Sequence, residues 1–382
     1  MQKEKLSKYK ILKIIIISVI IVCLVMCLSA YLIIHNYILK MNIVTSAELE
    51  VNEEIAVLDP RSEDIASNEL DSYELISEVV ESEEPDSPGP DSPEEDIISV
   101  EDSIRENIEQ KSIPIISDKD VFNILLIGSD SRKVNGNGRS DAMIMISINK
   151  KMKTITATSL LRDIYLQVPG KNNNRINAAY AFGGSKLLID TIEQNFRISI
   201  DRYASIDFYA FMDVVDAVGG VTLEVTDKEI PIINRYVNEL NSLTGQEVDK
   251  DILKEPGTLL LSGKQALGYA RNRYIGTDFE RTARQRRVLE QVFDKVKDMG
   301  LIELNDLLNT MLPQITTSLK EGEIFTMLLS LPSYTGYELK QWSIPVNDSY
   351  TFMRIRGMDV IGIDFTENIN EIQKRIYNID SE

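Results

Sequence analysis

The chain has 382 residues and a formal net charge of −19, a length that accommodates one large domain with accessory segments. Residues 41–110 contain 23 acidic and 2 basic side chains, a local charge of −21, so the rest of the chain carries only +2. This near-neutral remainder argues against nucleic acid as a partner of the folded region.

The N-terminus has the pattern of a membrane anchor. Several lysines precede an uncharged run of 21 residues from Ile14 to Ile34, which as a helix would measure about 32 Å and could cross a bilayer core. Because the lysines precede the run, the positive-inside rule places residues 1–13 in the cytoplasm and the remainder outside. We expect a single-pass cell-membrane protein with a transmembrane helix over 14–37 and an extracellular domain. A cleaved signal peptide is the alternative, because residues 28–30 include small side chains.

Cysteine and histidine chemistry is excluded from the exported part. Cys23 and Cys27 lie inside the uncharged run, and the single histidine, His35, lies at its end. The exported domain therefore has no disulfide, no Ser-His-Asp triad and no histidine-ligated zinc. Any acid–base step there must use carboxylates.

An acidic segment rich in serine and proline covers 38–117 and includes SEEPDSPGPDSPEED at 82–96. It cannot bury enough apolar surface to offset chain entropy, so we expect it to be disordered. As a flexible chain of about 75 residues it would span roughly 50 Å. It could serve as a stalk that sets the distance of the domain from the bilayer, or as a spacer without a specific role.

Residues 118–382 alternate between strand-like and helix-like patterns, which predicts an α/β domain with helices on both faces of a sheet. The predicted strands lie at 122–127, 142–148, 154–161, 221–225 and 340–345. The predicted helices lie at about 185–196, 207–217, 262–270, 279–298, 302–312 and 322–330. Asp207 is a candidate helix cap, and Trp342 is expected in the core.

Two short motifs place an aspartate beside an arginine at strand ends. GSDSR (128–132) follows the first predicted strand and GRSD (138–141) precedes the second. Carboxylates at strand ends hold hard cations such as Mg²⁺, and arginines bind phosphate oxygens through paired hydrogen bonds. Asp130 and Asp141 are therefore candidate magnesium ligands, with Arg132 and Arg139 beside them. From this segment alone, a solvated loop with incidental charges is the alternative.

Further arginines lie at other element boundaries. Arg162-Asp163 closes a predicted strand, and Arg271 and Arg273 follow a predicted helix. Carboxylates and arginines from separate segments are typical of a metal-assisted phosphate or pyrophosphate site. Asp163 is either a substrate contact or a structural group, such as a helix cap or an ion-pair partner of Arg162.

The helix predicted at 279–298 begins with another polar group. Arg281, Arg284 and Gln285 share one face of this helix, so two guanidiniums and an amide are expected to point together. For Arg284 and Arg287 a solvent-facing salt bridge is the favoured alternative.

These motifs together resemble the LytR-CpsA-Psr family of cell-wall glycopolymer ligases, over a motif-bearing core at 120–300. The blocks that carry the resemblance are LLIGSDSR (125–132), GRSDAMIMISIN (138–149), SLLRDIY (159–165), RINAAYAFGG (175–184), IDFYAFMDVVDAVGGV (206–221), PGTLLLSGKQALGYARNR (256–273) and DFERTARQRRVL (278–289). The resemblance implies a three-layer α/β/α sandwich with a mixed sheet and an apolar tunnel for a polyprenyl chain. The chain departs from the family pattern at Glu280, which replaces a glycine and puts a carboxylate beside Arg281.

The resemblance also implies a reaction. A glycopolymer such as a teichoic acid or capsule chain would pass from a polyprenyl-pyrophosphate carrier to a muramic-acid hydroxyl of peptidoglycan. Mg²⁺ would be the cofactor, and the membrane would hold the donor. The implied catalytic residues are Asp130, Asp141, Arg162, Arg271 and Arg273, and the implied substrate contacts are Arg132, Arg139, Asp163, Arg281 and Gln285. Asp130 is the first candidate for the proton acceptor.

Two other functions use the same features. A hydrolase would cleave the polyprenyl pyrophosphate with water as the acceptor at the same magnesium site. A non-enzymatic binder of lipid-linked polymer would not need the aspartates.

Overall fold

The computed structural model describes residues 32–44, 90–110, 114–130, 138–334 and 336–379. The strands are β1 (Asn42–Ile43), β2 (Val121–Ser129), β3 (Ser140–Asn149), β4 (Thr154–Leu160), β5 (Tyr165–Leu166), β6 (Asn174–Arg175), β7 (Arg202–Asp207), β8 (Val221–Val225), β9 (Gly257–Leu261), β10 (Thr316–Thr317), β11 (Glu338–Ile344), β12 (Tyr350–Ile355) and β13 (Met358–Ile363). The labelled helices are α1 (Glu94–Glu109), α2 (Ile176–Phe196), α3 (Phe208–Ala217), α4 (Glu229–Leu243), α5 (Gly263–Arg271), α6 (Asp278–Lys297), α7 (Leu301–Met311), α8 (Glu321–Tyr334) and α9 (Phe365–Ile372). Residues 32–38 are also helical.

A mixed seven-stranded sheet forms the centre of the domain, in the order β1-β10-β7-β2-β3-β4-β11. The pairs β2–β7, β4–β11 and β1–β10 are parallel. The pairs β2–β3, β3–β4 and β7–β10 are antiparallel. The predicted α/β class and the mixed sheet are confirmed.

Most predicted elements of the sheet lie within a few residues of the observed ones. The strands predicted at 122–127, 142–148 and 154–161 are β2, β3 and β4, because their apolar side chains continue along the strands and are buried. The strand predicted at 221–225 is β8, but it pairs with β9 outside the central sheet. Trp342 on β11 is 8% exposed, which confirms its predicted place in the core.

The larger core lies between one face of the sheet and two helices. Leu125 and Met145 on β2 and β3 pack with Leu188 of α2 and Ile369 of α9, and all four are buried. Burial of apolar surface stabilises a fold by about 25 cal/mol per Å², so this core, which has more buried residues than the smaller one, contributes more to stability.

A smaller core joins helices α3, α4 and α5 with the β8–β9 pair. Its buried residues include Val215, Val237 and Tyr269. Helix α6 connects the two cores, because Phe279 packs against the larger one and Val288 is buried in the smaller one. The beginning of α6 therefore lies where the two cores meet.

Close packing fixes helix α5 against helix α3. A Cβ atom at Gly263 would overlap the backbone of Met212, so this position requires glycine. The backbone N–H of Gly263 donates to Asp216 Oδ1 at 2.7 Å. Asp207 caps α3 as predicted, since its Oδ1 accepts the N–H of Ala210 at 2.8 Å.

The prediction of disorder over 38–117 is wrong for the part of this segment that forms helix α1. Residues 94–109 are helical although they are acidic, because Ile97, Val100 and Ile104 recur at helical spacing and pack against the larger core. The Asn107 side chain also donates to the Asn195 carbonyl at 3.1 Å. Disorder was predicted from the average composition of the segment, which hid this apolar face.

The N-terminal part of the chain is described from residue 32. Residues 1–31, which include most of the span predicted at 14–37, lie outside the described residues. Within the described part, no helix has the length and apolar character needed to cross a membrane. Strand β1, inside the segment predicted to be disordered, pairs with β10 at the edge of the central sheet.

The packing of α1 predicts a clear difference between two substitutions on this helix. Ile104 is 2% exposed and Ile98 is 52% exposed. Ile104→Ala should lower the free energy of unfolding by roughly 2–4 kcal/mol, because it leaves a cavity in the core. Ile98→Ala should change it by less than about 0.5 kcal/mol. Urea denaturation measures both values, and equal effects would show that α1 does not belong to the cooperative fold.

Candidate phosphate-binding site

One end of the central sheet brings the two predicted aspartates together. Ser129 and Ser140 are partners across β2 and β3, so Asp130 and Asp141 lie on neighbouring strand ends. The backbone N–H of Asp130 donates to the carbonyl of Arg139 at 3.0 Å. Strand β4 is antiparallel to β3 and ends at the same edge, which places Arg162 beside them.

Asp141 and Arg162 form a half-buried ion pair. Arg162 Nη1 donates to Asp141 Oδ1 at 2.9 Å. Burial alone would raise the pKa of the Asp141 carboxyl, but the attraction of Arg162, joined by Arg281 and Arg271, outweighs it and lowers this pKa to about 2. Asp141 is therefore ionised at neutral pH.

Arg162 also faces two further carboxylates. Its Nε atom lies 3.4 Å from Asp163 Oδ2 and 3.9 Å from Asp278 Oδ1. The backbone N–H of Arg162 donates to Asp278 Oδ2 at 3.2 Å. Asp163 is also 3.5 Å from Arg175, so it is an ion-pair partner, one of the two roles predicted for it.

Arg281 is the most deeply buried cation of the site, with 2% of its surface exposed. Its Nη2 atom lies 2.6 Å from Asp278 Oδ1. Burial, followed by the repulsion of Arg162, lowers the pKa of Arg281. The buried Nε atoms of Arg162 and Arg281 make no hydrogen bond to any described residue. The Nε atom of Arg162 has Asp163 only as an ion-pair contact at 3.4 Å, so each guanidinium keeps a buried N–H group that is not hydrogen-bonded within the described chain, which is a feature of anion sites.

The pair Arg271–Asp130 closes the other side of the site. Arg271 is the last residue of α5, and its Nη2 atom lies 3.3 Å from Asp130 Oδ2. Its guanidinium carbon is 4.5 Å from the centroid of the Phe208 ring and 4.8 Å from that of Tyr236, so cation–π contacts fix its position. Gln285 Nε2 donates to the Asp141 backbone carbonyl at 3.3 Å.

The side chains of the remaining predicted residues are not in the ion-pair network, as far as the described residues extend. Arg273 is exposed, with its guanidinium carbon 5.7 Å from the centroid of the Tyr274 ring. Arg139 is half-buried directly before β3. Arg132 lies outside the described residues.

The prediction that Arg284 points into the site beside Arg281 is wrong, and the salt bridge named as the alternative exists but is buried rather than solvent-facing. Arg284 is 5% exposed, and its Nε donates to Glu229 Oε1 at 2.9 Å. Its other nitrogens donate to the carbonyls of Asn272 and Ile275 at 3.0 and 2.9 Å. Arg284 therefore fixes the loop between α5 and α6. The Arg284 side chain projects from α6 in a different direction from those of Arg281 and Gln285, which lie about one turn apart on the same face of the helix.

Glu280, the departure from the family pattern, does not oppose Arg281. Its carboxylate accepts the backbone N–H and the hydroxyl of Thr277, which caps the start of α6. These hydrogen bonds to Thr277 lower the pKa of Glu280. The carboxylate is therefore turned toward the helix start.

Two residues of the site were missed in the sequence. Asp278 and Arg175 open two of the motif blocks, yet only neighbouring positions were selected. The signal available for Asp278 was an acidic residue at the start of an arginine-rich helix, whereas Arg175 is the single charged residue of its block and carried no such signal. Burial raises the pKa of Asp278 in spite of Arg281 and Arg162 nearby.

The formal charges of the paired side chains cancel. Four arginines and four aspartates form the network, namely Arg162, Arg175, Arg271, Arg281, Asp130, Asp141, Asp163 and Asp278. A bound pyrophosphate would therefore leave the site with net negative charge unless a cation accompanied it.

Asp130 and Asp141 fit a magnesium ion that is shared with a phosphate ligand. Mg²⁺ is usually bound through one or two carboxylates together with water and phosphate oxygens. Asp141 is ionised, as such a ligand must be. No cluster of three or more His, Cys, Asp or Glu suited to a metal ion occurs in the described part of the chain, so a closed protein cage does not fit.

Fold and site together define an α/β protein with a network of arginines and aspartates at one end of a mixed sheet. The LytR_cpsA_psr family profile matches residues 92–376, and the chain therefore belongs to the LytR-CpsA-Psr family. The match extends beyond the motif-bearing core at 120–300 and begins just before α1, in agreement with the packing of that helix.

Characterised relatives support this assignment. Polyisoprenyl-teichoic acid–peptidoglycan teichoic acid transferase TagT of Bacillus subtilis (strain 168) is 32% identical over 246 residues, covering 61% of this chain and 72% of the relative. A structure of TagT bound to LI-WTA is similar with TM-score 0.53 and 29% identity, covering 69% of this chain and 92% of that chain. A structure of TagT with bound octaprenyl pyrophosphate lipid has TM-score 0.50 and 26% identity, with coverage of 69% and 92%.

The opposite pKa shifts of Asp141 and Asp278 predict opposite pH dependences of stability. The pKa of Asp141 is lowered from 3.8 to about 2, so its charge stabilises the fold above the unfolded-state pKa, and this contribution is lost as the pH falls through about 2. Asp141→Asn should therefore lower the free energy of unfolding by roughly 2 kcal/mol at pH 7, and by about half of that at pH 3.

Asp278→Asn is the matched control for this measurement. Because burial raises the pKa of Asp278, this carboxyl binds its proton at a higher pH in the fold than in the unfolded chain, so the stability loss of Asp278→Asn should be no smaller at pH 3 than at pH 7. Urea denaturation at both pH values tests the pair. A constant loss for Asp141→Asn between pH 7 and pH 3 would contradict the ion-pair explanation.

Proposed function

We propose that this protein is a Mg²⁺-dependent phosphotransferase that moves a teichoic acid- or capsule-type polymer from a polyprenyl-pyrophosphate carrier to a muramic-acid hydroxyl of peptidoglycan. The observation that carries the proposal is the pair Arg162 and Arg281, each with a buried Nε–H group that makes no hydrogen bond in the described part of the chain, beside two strand-end aspartates. Membership of a family whose relatives include a teichoic acid transferase supports the choice of polymer class.

The arginines would hold the diphosphate and compensate its charge. Arg281 is buried and Arg162 is half-buried beside it, and their Nε–H groups, which make no hydrogen bond to the described residues, would turn to the phosphate oxygens. Arg271 would bind from the opposite side, its position fixed by Phe208 and Tyr236. Phosphoryl transfer depends mainly on charge compensation and alignment, which suits a site without histidine.

Asp130 and Asp141 would hold the magnesium ion together with the substrate. When bound, Mg²⁺ supplies positive charge that stabilises the phosphate oxygens in the transition state. Binding at these two carboxylates would also offset the negative charge that pyrophosphate adds to a balanced network.

The bond changes follow from the carrier chemistry. The acceptor hydroxyl oxygen forms a bond to the phosphorus next to the sugar, and the bridging P–O bond breaks, releasing polyprenyl monophosphate. The hydroxyl proton must go to a base. The pKa of Asp141 lies too low for that role, so we assign proton acceptance to Asp130.

The proposal includes a membrane location. The uncharged run from Ile14 to Ile34 and the lysines before it support one N-terminal transmembrane helix with the catalytic domain outside the cell. This topology puts the active site on the side of the membrane where peptidoglycan lies.

The direct test is product analysis. The purified protein is incubated with a polyprenyl-pyrophosphate oligosaccharide, peptidoglycan oligomers and Mg²⁺, and mass spectrometry follows the products. A phosphodiester-linked conjugate is expected. Arg162→Ala should reduce its rate about 100-fold or more, as loss of a transition-state charge partner does. Arg287→Ala, an exposed arginine on the same helix as Arg281, should change it less than about threefold.

Other outcomes of this assay separate the competing functions. Polyprenyl phosphate released without a conjugate would support the hydrolase. Donor binding without turnover would support a binding protein. Conjugate formation that continues in EDTA would contradict the magnesium requirement.

A second assay tests Asp278 as the group that holds Arg162 and Arg281. Asp278→Asn removes the charge between these two guanidiniums, so their alignment is lost and the transfer rate should fall roughly 10- to 100-fold. Glu280→Gln, two residues later, keeps the helix cap and should leave the rate within about twofold. Equal rates for the two variants would show that Asp278 has no part in the site.

A further inference from the structure

The last residues of the span predicted at 14–37 and the residues that follow them are part of the folded domain, so the predicted span extends too far at its C-terminal end. Strand β1 extends the central sheet in parallel with β10. The N–H of Asn42 donates to the carbonyl of Ile315 at 3.0 Å, and the N–H of Val44 donates to that of Thr317 at 2.9 Å. Ile38 is 4% exposed, so the preceding helical turn also has an inward face.

Side chains attach this segment to α7 and α8. His35 Nδ1 lies 2.6 Å from Glu321 Oε1 at the start of α8. Tyr37 donates to Asn305 of α7 at 2.5 Å, and Lys40 donates to Asn309 one turn later. These contacts join residues more than 260 positions apart in the chain, so they fix the segment to the domain.

Exposed apolar side chains lie on the same part of the molecule. Leu39 is 69% exposed, and Leu32 and Ile33 are more than half exposed. Ile302, in the first turn of α7, is 79% exposed and lies one turn before Asn305, on the face that Tyr37 contacts. We call these four residues the apolar rim.

The acidic connection cannot act as a stalk. Val44 and Pro90 are separated by 45 residues that carry 15 acidic and 1 basic side chains. The chain after this connection is attached too, because Asp91 accepts the N–H groups of Arg356 and Gly357 in the β12–β13 turn at 3.0 and 2.8 Å. Both ends of the connection therefore join one domain, and an anionic bilayer surface would repel what lies between them.

We propose that residues 32–44 dock the catalytic domain onto the lipid bilayer, with Leu32 and Ile33 at the end of the membrane span and the other residues of the apolar rim, Leu39 and Ile302, against the headgroup region. The uncharged run ends at Ile34, and the next residue, His35, already contacts Glu321 of the domain. The domain therefore begins where the predicted membrane span ends, which makes the bilayer the partner. The inference rests on the membrane anchor of the proposed function. It fixes the height and orientation of the active site above the membrane.

Cleavage of the connection tests the docking. A site-specific protease sequence is inserted between Asp71 and Ser72 of the full chain in membrane vesicles, and the cut sample is centrifuged. The fragment that contains the catalytic domain should remain with the vesicles. The double variant Tyr37→Ala, Asn42→Pro removes a side-chain contact and a sheet hydrogen bond, and should leave at least fivefold more of the fragment in solution.

The outcomes are distinct. Release of the unaltered fragment, or equal retention of both fragments, would overturn the docking. An uncut chain that does not sediment with the vesicles would overturn the anchor itself. Sedimentation of the cut chain and of the uncut chain does not depend on transfer activity. Failure of the proposed transfer reaction would appear only in the product analysis, so the two failures are distinguishable.

A disulfide cross-link and a fluorescence-quenching experiment complete the test. Both use a Cys23→Ser, Cys27→Ser background, which removes the two native cysteines. Asn42→Cys with Thr316→Cys should form a disulfide that joins the two cut fragments on a non-reducing gel, because paired strands bring these positions about 4.8 Å apart. Asn42→Cys with Ser343→Cys, on the opposite edge strand β11, should not.

In the fluorescence experiment, a fluorophore is attached to Ile302→Cys or to Phe352→Cys, an exposed position on β12. A quencher attached to lipid headgroups should quench the fluorophore at position 302 at least threefold more than the one at position 352. Equal quenching at the two positions, or no Asn42–Thr316 disulfide, would refute the proposal.

Discussion

A guanidinium group is tolerated inside a protein only where carboxylates or carbonyls compensate for its lost hydration. Arg162 and Arg281 meet this condition because three aspartates reach them from β3, the end of β4 and the start of α6. Each of these elements must therefore keep its register and its end point. The sheet order, the antiparallel β3–β4 pair and the cap of α6 all serve this arrangement.

The site also depends on the junction of the two cores. Asp130, Asp141 and Arg162 are delivered by the sheet of the larger core, whereas Arg271 comes from α5 in the smaller one. Helix α6 is buried in both and carries Asp278, Arg281 and Gln285 at its start. Arg284 anchors this helix start to the loop that follows α5. The packing of α6 thereby determines how the cation from α5 meets the aspartates of the sheet.

Much of this arrangement could be predicted from the sequence, and the failures have physical causes. Strands β2 to β4 were found because continuous apolar runs between polar loops identify buried strands. Asp130, Asp141 and Arg162 were found because they stand at the ends of those strands. Arg284 was assigned wrongly because a helical face is a broad sector, and the long arginine side chain can reach either neighbour.

Helix α1 and Asp278 show the other kind of failure. Average composition described 94–109 as disordered, whereas the helix is held by a few apolar contacts and by the hydrogen bond of Asn107. Asp278 carries no local signal of its own, because its role arises from Arg162, 116 positions earlier in the chain. Such pairings depend on tertiary structure, which a reading of adjacent residues does not contain.

The charge balance of the site has a consequence for how a substrate arrives. A network of four positive and four negative groups produces little field beyond about one Debye length, roughly 8–10 Å at physiological ionic strength. A diphosphate in bulk water would therefore not be steered toward it from a distance. A substrate that stays in the membrane needs no such steering, because lateral diffusion in two dimensions brings it to the protein. Encounter is then governed by lipid mobility, and recognition begins only at contact.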